Sequence, residues 1–373
     1  MLDVDFSLAI HNRTGKYYLG LDIIDTLAPR IETIIYGRRS HIGRTDLERR
    51  IWGRLYHWET KARVFHPRVL RLLPKMRSEN TVLHLDPLTS LNHHLKSKDI
   101  ILCHDIGPVT HPQYFDVDTG ALYKQAYAEI QQAKCHMIFV SDTSRQEFHK
   151  IYGNDFSSST RIYIPTRVGI NKETSVRPDQ APTPYKYFLT VGSIGRRKNQ
   201  ATSIKAFAKS GLVDQGYEYI LTGPDEPGAD EVKLLAKQTP GVRILGYVSD
   251  PELVWLYQNA TAFVLMSHLE GFGMPVVEAA NMNVPCLVTQ KSVLEEVGGS
   301  HIFSAPADDV VQIASQMQSL SAMPSDERQA MANKAREFAQ SVFERNTILA
   351  QWDKVVSDIL ATVADCSAPN PSP

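Results

Sequence analysis

The chain has 373 residues, 43% of them apolar and 22% charged, with a formal net charge of −1. That length exceeds what one hydrophobic core holds, so two domains of about 150 to 200 residues are expected. The composition is too polar for an integral membrane protein and no run reaches the roughly 20 apolar residues of a membrane span, while the start Met1 to Ile10, acidic at Asp3 and Asp5, lacks the basic region of a secretory signal; a cytosolic protein is expected.

Short apolar runs rich in β-branched residues alternate with longer amphipathic stretches, the pattern of parallel sheets joined by crossover helices, and the fold class is α/β. In chain order the predicted strands are Val4 to Ile10, Ile31 to Tyr36, Thr81 to Asp86, Ile100 to His104, Met137 to Ser141 and Arg161 to Ile164. Residues 167–186, polar and aperiodic with Pro178, Pro182 and Pro184, separate these from a second series. That series comprises Tyr187 to Gly192, Tyr217 to Thr222, Val242 to Tyr247, Ala262 to Met266, Cys286 to Thr289 and His301 to Ser304. Ser325 to Ala364 reads as one or two amphipathic helices. The division is a first domain over 1–166, a linker over 167–186, a second domain over 187–345, a helix over 346–366 that packs back on the first domain, and a disordered tail over 367–373. Cys103, Cys135, Cys286 and Cys366 are widely spaced, without C-x-x-C or a metal-finger pattern, and the first three read as reduced core thiols.

Charge is uneven. The stretch Arg38 to Arg77 carries twelve Lys/Arg against Asp46, Glu48 and Glu59, about +9, leaving about −10 for the rest. Between 47 and 77 the cations Arg49, Arg50, Arg54, Arg63, Arg68 and Arg71 interleave with Ile51, Trp52, Leu55, Tyr56, Trp58 and Phe65. That mixture suits an anionic membrane surface, although a solvated helix face would also display it. No nucleic-acid-binding motif accompanies it.

The most informative stretch is Ser267 to Val288, SHLEGFGMPVVEAANMNVPCLV, where a buried strand ends in a glycine-rich turn and a helix starts at Pro275. Proline suits a first helical turn, and the N–H groups around Gly273 to Val277 are expected to face an anionic ligand. Glu270 before the turn and Glu278 inside the helix bring two carboxylates to that mouth, and carboxylates accept hydrogen bonds from sugar hydroxyls. Singly, Glu278 would do no more than complement the helix dipole and Glu270 would be a loop residue. A second element, Val191 to Asn199, ends a strand at Gly192 and continues into Arg196, Arg197 and Lys198, cations that suit a diphosphate; a solvated basic loop is the alternative.

Glu270-x7-Glu278 inside EGFGMPVVEA resembles the signature of retaining glycosyltransferases of family four, whose GT-B fold has two Rossmann-like domains facing across a cleft. The similarity extends over VGSIGRRKN, LTGP, LGYVSDPELVWLYQNA and SVLEEVGG. It implies that Glu278 accepts hydrogen bonds from the donor ribose, and that Glu270 with the backbone of Gly271, Phe272, Gly273 and Met274 holds the transferred sugar. Arg197 and Lys198 occupy the places of the cations that stabilise the leaving diphosphate. Many members carry arginine directly after the strand-end glycine; this chain has Ser193, and Arg196 stands near enough to compensate. The base would lie against Gly223 and against Tyr247 and Val248.

In the first half, Asn12 to Tyr18, NRTGKYY, resembles the family's glycine loop, with Gly15 approaching the diphosphate. His104 and Asp105 follow a strand at its carboxyl end, where similar proteins place histidine-aspartate against the sugar and the acceptor; a structural histidine is the other reading. Asp116-Val117-Asp118 matches the D-x-D metal motif of another glycosyltransferase fold, but its position before a helix reads as a cap. No metal and no cofactor is expected.

The resemblance thus implies a metal-independent hexosyltransferase using a nucleoside diphosphate sugar, with front-face attack preserving anomeric configuration. GDP-mannose is the first donor expected and a UDP-sugar the alternative, the acceptor being a glycan or lipid-linked saccharide of surface polysaccharide assembly on the inner face of the cytoplasmic membrane. A sugar phosphorylase would need a pyridoxal phosphate lysine and a longer chain, and a dehydrogenase a G-x-G-x-x-G after a strand. A nucleotide-sugar-binding protein without turnover is the non-enzymatic alternative.

Overall fold

A computed structural model describes residues 1–10, 15–42, 45–68, 73–167, 169, 174–183 and 186–367. The chain forms two compact units, one of Met1–Pro165 with Arg345–Pro373 and one of Thr166–Glu344. Residues 12–14 of the predicted glycine loop 12–18, residues 43–44 and 69–72 of the basic stretch, residues 168, 170–173 and 184–185 of the predicted linker, and the tail at 368–373 lie outside the described residues.

Unit 1 runs β1 (Leu2–Asp5), α1 (Gly15–Leu27), β2 (Ile31–Ile35), α2 (Asp46–Phe65), β3 (Thr81–His84), β4 (Ile100–Cys103), α3 (Gly107–Thr110), α4 (Val117–Ala133), β5 (His136–Phe139), α5 (Asp142–Tyr152) and β6 (Ser158–Arg161). Its six strands are parallel in the order β2-β1-β3-β4-β5-β6. Unit 2 runs β7 (Tyr187–Val191), α6 (Gln200–Ser210), β8 (Glu218–Thr222), α7 (Ala229–Gln238), β9 (Val242–Gly246), α8 (Asp250–Asn259), β10 (Ala262–Leu265), α9 (Met274–Asn281), β11 (Cys286–Thr289), α10 (Val293–Gly298), β12 (Phe303–Ala305), α11 (Val310–Ala322) and α12 (Ser325–Val342). Its parallel order is β12-β11-β10-β7-β8-β9. The last helix, α13 (Arg345–Ser367), returns to unit 1 and packs on α1. Arg345 pairs there with Asp22, Arg30 with Asp353 at 2.6 Å, and Ile348, Trp352 and Val356 are fully buried.

Strands covered on both faces read as continuous apolar runs, and β3, β4, β10 and β11 are buried at every position. In unit 2 the core gathers Phe188, Phe207, Tyr219, Val264, Leu287 and Met317; in unit 1 the Phe148 ring meets Tyr127 edge-on and Phe139 at a tilt. Each such side chain contributes about 1.5–3 kcal/mol by leaving water. Cys103, Cys135 and Cys286 are buried free thiols.

Several expected boundaries move. The first strand stops at Asp5 instead of continuing to Ile10, because the Asp5 carboxylate accepts the Ser7 N–H (2.9 Å) and hydroxyl (2.6 Å) and turns the chain into a 3-10 helix, Ser7–Ile10. The sixth strand is Ser158–Arg161, not Arg161 to Ile164; it lies at the sheet edge, half-buried, and its sequence SSTR carries no apolar signal. Residues after 166 belong to unit 2 and are tied to it, Val176 N–H donating to Pro251 O at 3.0 Å. Asp116 takes the cap position of α4 without a side-chain capping bond, and Asp118 pairs with Lys61 at 2.8 Å.

Candidate active site

The order of unit 2 reverses between β7 and β10: β8 and β9 lie beyond one, β11 and β12 beyond the other. In an open α/β sheet the loops leaving the carboxyl ends of two such strands splay apart and leave a ligand crevice. The loop after β7 carries Gly192 to Lys198, and the loop after β10 carries Ser267 to Gly273, so topology brings the two sequence motifs together.

They meet in an ion cluster. Lys198, in a 3-10 turn before α6, donates from Nζ to Glu270 Oε1 at 2.5 Å, and Ser267 Oγ donates to the same oxygen at 2.7 Å. Arg197 Nη1 lies 3.5 Å from Glu270 Oε2 and donates to Leu269 O at 3.0 Å, while its Nη2 reaches Glu226 Oε2 at 3.0 Å. Ser193 Oγ also donates to Glu226 Oε2, at 2.6 Å. Burial pushes the Glu270 carboxyl up, but the charges of Lys198 and Arg197 outweigh it and hold it below the ordinary value. A largely covered carboxylate, its side chain 10% exposed, thus clamps two cations at the end of the sheet.

Glu278 is held separately. It sits in α9, buried, with Arg167 Nε donating to Oε1 at 2.9 Å and the Tyr257 hydroxyl to Oε2 at 3.1 Å. Burial raises its pKa despite Arg167. The helix starts at Met274, one residue before Pro275, because Gly273 turns the chain at φ +104, where a Cβ would lie 2.5 Å from Leu294 Cδ2. The N–H array expected there is narrower than the sequence suggests, since the Val276 N–H donates to Gly273 O at 2.9 Å.

Gly192 (φ +140) and Gly223 (φ +144) lie against each other, with Gly192 N–H on Thr222 O and Gly223 N–H on Gly246 O, each 2.9 Å. Tyr247 and Val248 follow β9 at the sheet edge, and Tyr247 is 85% exposed. Arg196 does not join the cluster; its exposed guanidinium pairs with Glu231 on the surface.

In unit 1, Gly15 is the first residue of α1 with open space where a Cβ would stand, so nothing described there requires glycine for a close approach. His104 is a buried neutral group rather than a titrating one: burial and Lys16 push it down to about 3, and Nε2 hydrogen-bonds Leu85 O at 3.1 Å. Asp105 Oδ1 accepts the Gly107 N–H at 2.9 Å. Sequence reasoning missed Arg167, assigned to a linker, and Glu226, which stands outside any motif; Tyr257 and Ser267 lie inside quoted segments, but nothing local marks their side chains as partners of Glu278 and Glu270.

Residues 171–338 match the family model described as Glycosyl transferases group 1. That match falls within unit 2, and the two parallel-sheet Rossmann-like units have the architecture of the GT-B fold. The chain is 28% identical over 293 residues to the O-antigen chain mannosyltransferase B of Escherichia coli, spanning 75% of this chain and 74% of that protein. It is 27% identical over 245 residues to the O-antigen chain mannosyltransferase RfbU of Salmonella typhimurium, spanning 64% and 65%. In structure it resembles a sucrose-phosphate synthase from Thermosynechococcus elongatus, with TM-score 0.68, 15% identity and coverage of 97% and 99%.

Proposed function

We propose that this protein transfers a hexose from a nucleoside diphosphate sugar to a glycan or lipid-linked saccharide in surface polysaccharide assembly. The observation that carries the reading is the Lys198–Glu270–Arg197 cluster at the switch point of unit 2, within the group 1 match. The mannosyltransferase relatives favour mannose from GDP-mannose; a UDP-sugar is the second donor.

The diphosphate binds at Arg197 and Lys198 beside the Gly192 turn, Glu270 and the 271–274 backbone receive the sugar hydroxyls, and Glu278 receives the ribose. As the glycosidic bond breaks, charge grows on the departing phosphate oxygen and the two cations stabilise it, a contribution worth about 10²- to 10³-fold in rate for one such donor. That oxygen takes the acceptor proton on the face it leaves, which retains configuration without a protein nucleophile, metal or cofactor. His104, neutral throughout the physiological range, orients by hydrogen bonding and does not shuttle protons, and Asp105 assists it.

A peripheral membrane position rests on α2. Leu47, Ile51, Leu55 and Trp58 form one exposed stripe on it, flanked by exposed Arg50 and Arg54, and a cavity of about 400 Å³ opens beside it, walled by Tyr36, Trp52, Tyr56 and Trp58. Much of the basic stretch is internally neutralised: Arg38 and Arg63 by Glu59, Arg39 by Glu48, and Lys75 by Glu129. Among the described residues no helix is long and apolar enough to cross a membrane.

The test is a thermal-shift screen against GDP-, UDP-, ADP- and dTDP-sugars, since a ligand at a hundred times its dissociation constant stabilises by about 2.7 kcal/mol. It is followed by product analysis of anomeric configuration. A selective shift with GDP-mannose and an α-linked product is expected. A shift without turnover on any acceptor would leave a binding protein, and a folded chain indifferent to all four would sink the donor site.

A further inference from the structure

Unit 1 has its own reversal, between β1 and β3, with β2 beyond one and β4 to β6 beyond the other. The last residues of these two strands, Asp5 and His84, are register partners. Neighbouring parallel strands point paired side chains to the same face, so the carboxylate and the imidazole stand side by side. A 3-10 helix, Pro87–Asn92, then brings His93 back, its ring edge-on to His84 with centroids 4.8 Å apart. Its Nε2 lies 2.8 Å from Asp5 Oδ2. One ligand atom from each of the three residues falls within 4.8 Å of the others, and none of the side chains is more than 3% exposed.

The tautomer of His84 follows from its neighbours. Thr89 Oγ1 gives its proton to Asp86 O at 2.9 Å, so toward His84 Nδ1, 2.8 Å away, it accepts. Nδ1 therefore carries the ring proton and Nε2 is a bare lone pair, fully buried and with no hydrogen-bond partner among the described residues. Leaving such a group unsatisfied costs about 1–3 kcal/mol. A carboxylate and a bare imidazole nitrogen side by side are two acceptors, which a cation satisfies together.

We propose that Asp5, His84 and His93 bind one divalent transition-metal ion of the zinc type, through a carboxylate oxygen and two imidazole Nε2 atoms. Two nitrogens and an oxygen without thiolate suit zinc or its first-row neighbours at about 2.0–2.2 Å per bond. The outer partners are already in place, Thr89 on His84 Nδ1 and Ser7 on Asp5 Oδ1. Binding takes up one ion and frees His93 Nε2 of the proton it shares with Asp5, which passes to Nδ1 of the same ring if the ring is neutral and to solvent if it is charged. The ion ties β1, β3 and the chain returning to His93 into one joint, takes no part in the transfer proposed above, and is independent of the donor's identity.

The experiment uses the full chain, loaded with stoichiometric Zn²⁺ or Co²⁺, passed over a chelating resin and assayed by elemental analysis, absorption spectroscopy and thermal melting. One retained equivalent per chain is expected, with a melting temperature raised by a few degrees and a Co²⁺ spectrum with d–d bands but no thiolate charge-transfer band. His84→Ala should lose the equivalent and the shift, and Asp5→Asn, which keeps the shape but not the charge, should retain the ion at least tenfold less tightly. Absence of a retained equivalent in the unaltered chain, a thiolate band, or equal retention in Asp5→Asn and the unaltered chain overturns the site. If His84→Ala does not fold, the spectrum and Asp5→Asn decide.

Discussion

Arg167 reaches Glu278 from the first residues of unit 2, its Nε donating to Oε1 across 2.9 Å, while Tyr257 covers Oε2. The carboxyl is buried and already displaced upward, so it depends on that guanidinium to stay ionised and aimed. Arg167→Ala is expected to weaken donor binding by about 10- to 100-fold, the worth of a charged hydrogen bond, with Arg167→Lys recovering part. In the alanine variant affinity should improve as pH rises, because the ionised Glu278 is the stronger acceptor and offers both oxygens. Calorimetric titration at several pH values reads this; unchanged affinity in both Arg167→Ala and Glu278→Ala removes Glu278 from the donor site.

For Glu270 the sign is opposite. Burial is overcome by Lys198 and Arg197 and the folded carboxyl lies below its ordinary value. Its contribution to stability is complete above the unfolded value, about 4.3, and is lost as pH falls through the lowered folded one. Glu270→Gln leaves Lys198 buried without its charge partner, which costs about 3–5 kcal/mol, and it should flatten the acid side of the stability profile. Urea unfolding between neutral and acid pH compares the two; parallel profiles would mean that the pair is not linked to folding.

Gly223 has a backbone that L side chains rarely adopt, and a Cβ on it would collide with Gly192 O. Gly223→Ala should cost about 1–3 kcal/mol in backbone strain alone. It also displaces the loop that carries Lys198, so both melting temperature and donor affinity should fall. A variant that melts like the parent chain would show that the two loops move apart freely.

Replacing Arg49, Arg50 and Arg54 together with glutamine should lower binding to anionic liposomes by about 1 kcal/mol per cation near the surface. Replacing Leu47, Ile51 and Leu55 with serine should lower it on neutral liposomes as well. Sedimentation with vesicles measures both, and binding indifferent to either set would leave α2 as a solvated face.

The architecture was legible wherever burial is two-sided. Central strands such as Ile100–Cys103 and Ala262–Leu265 announce themselves as apolar runs, whereas the half-covered edge strand Ser158–Arg161 does not. The turn at Gly273 and the basic loop at Lys198 could be read locally, because glycine geometry and clustered charge are local properties. Arg167 and the Asp5–His84–His93 cluster could not: each is created by strand register or by a contact over 80 or more positions, which no window of sequence contains. For His104 the sequence left two readings, a ligand contact and a structural histidine, and the bond from its Nε2 to Leu85 O, 19 positions away, is likewise a contact that the strand end alone does not announce.

Unit 1 is made from two separated pieces of chain, joined where α13 covers α1 and Arg345 meets Asp22 across 323 positions. At about 5–20 residues per second on the ribosome, that separation amounts to roughly 15 to 65 s. For that interval the newly made α1 has no partner helix, while unit 2, continuous in the chain, can complete itself first. Unit 1 therefore cannot be completed until the chain beyond unit 2 has been made, so the half translated earliest waits longest for its last layer.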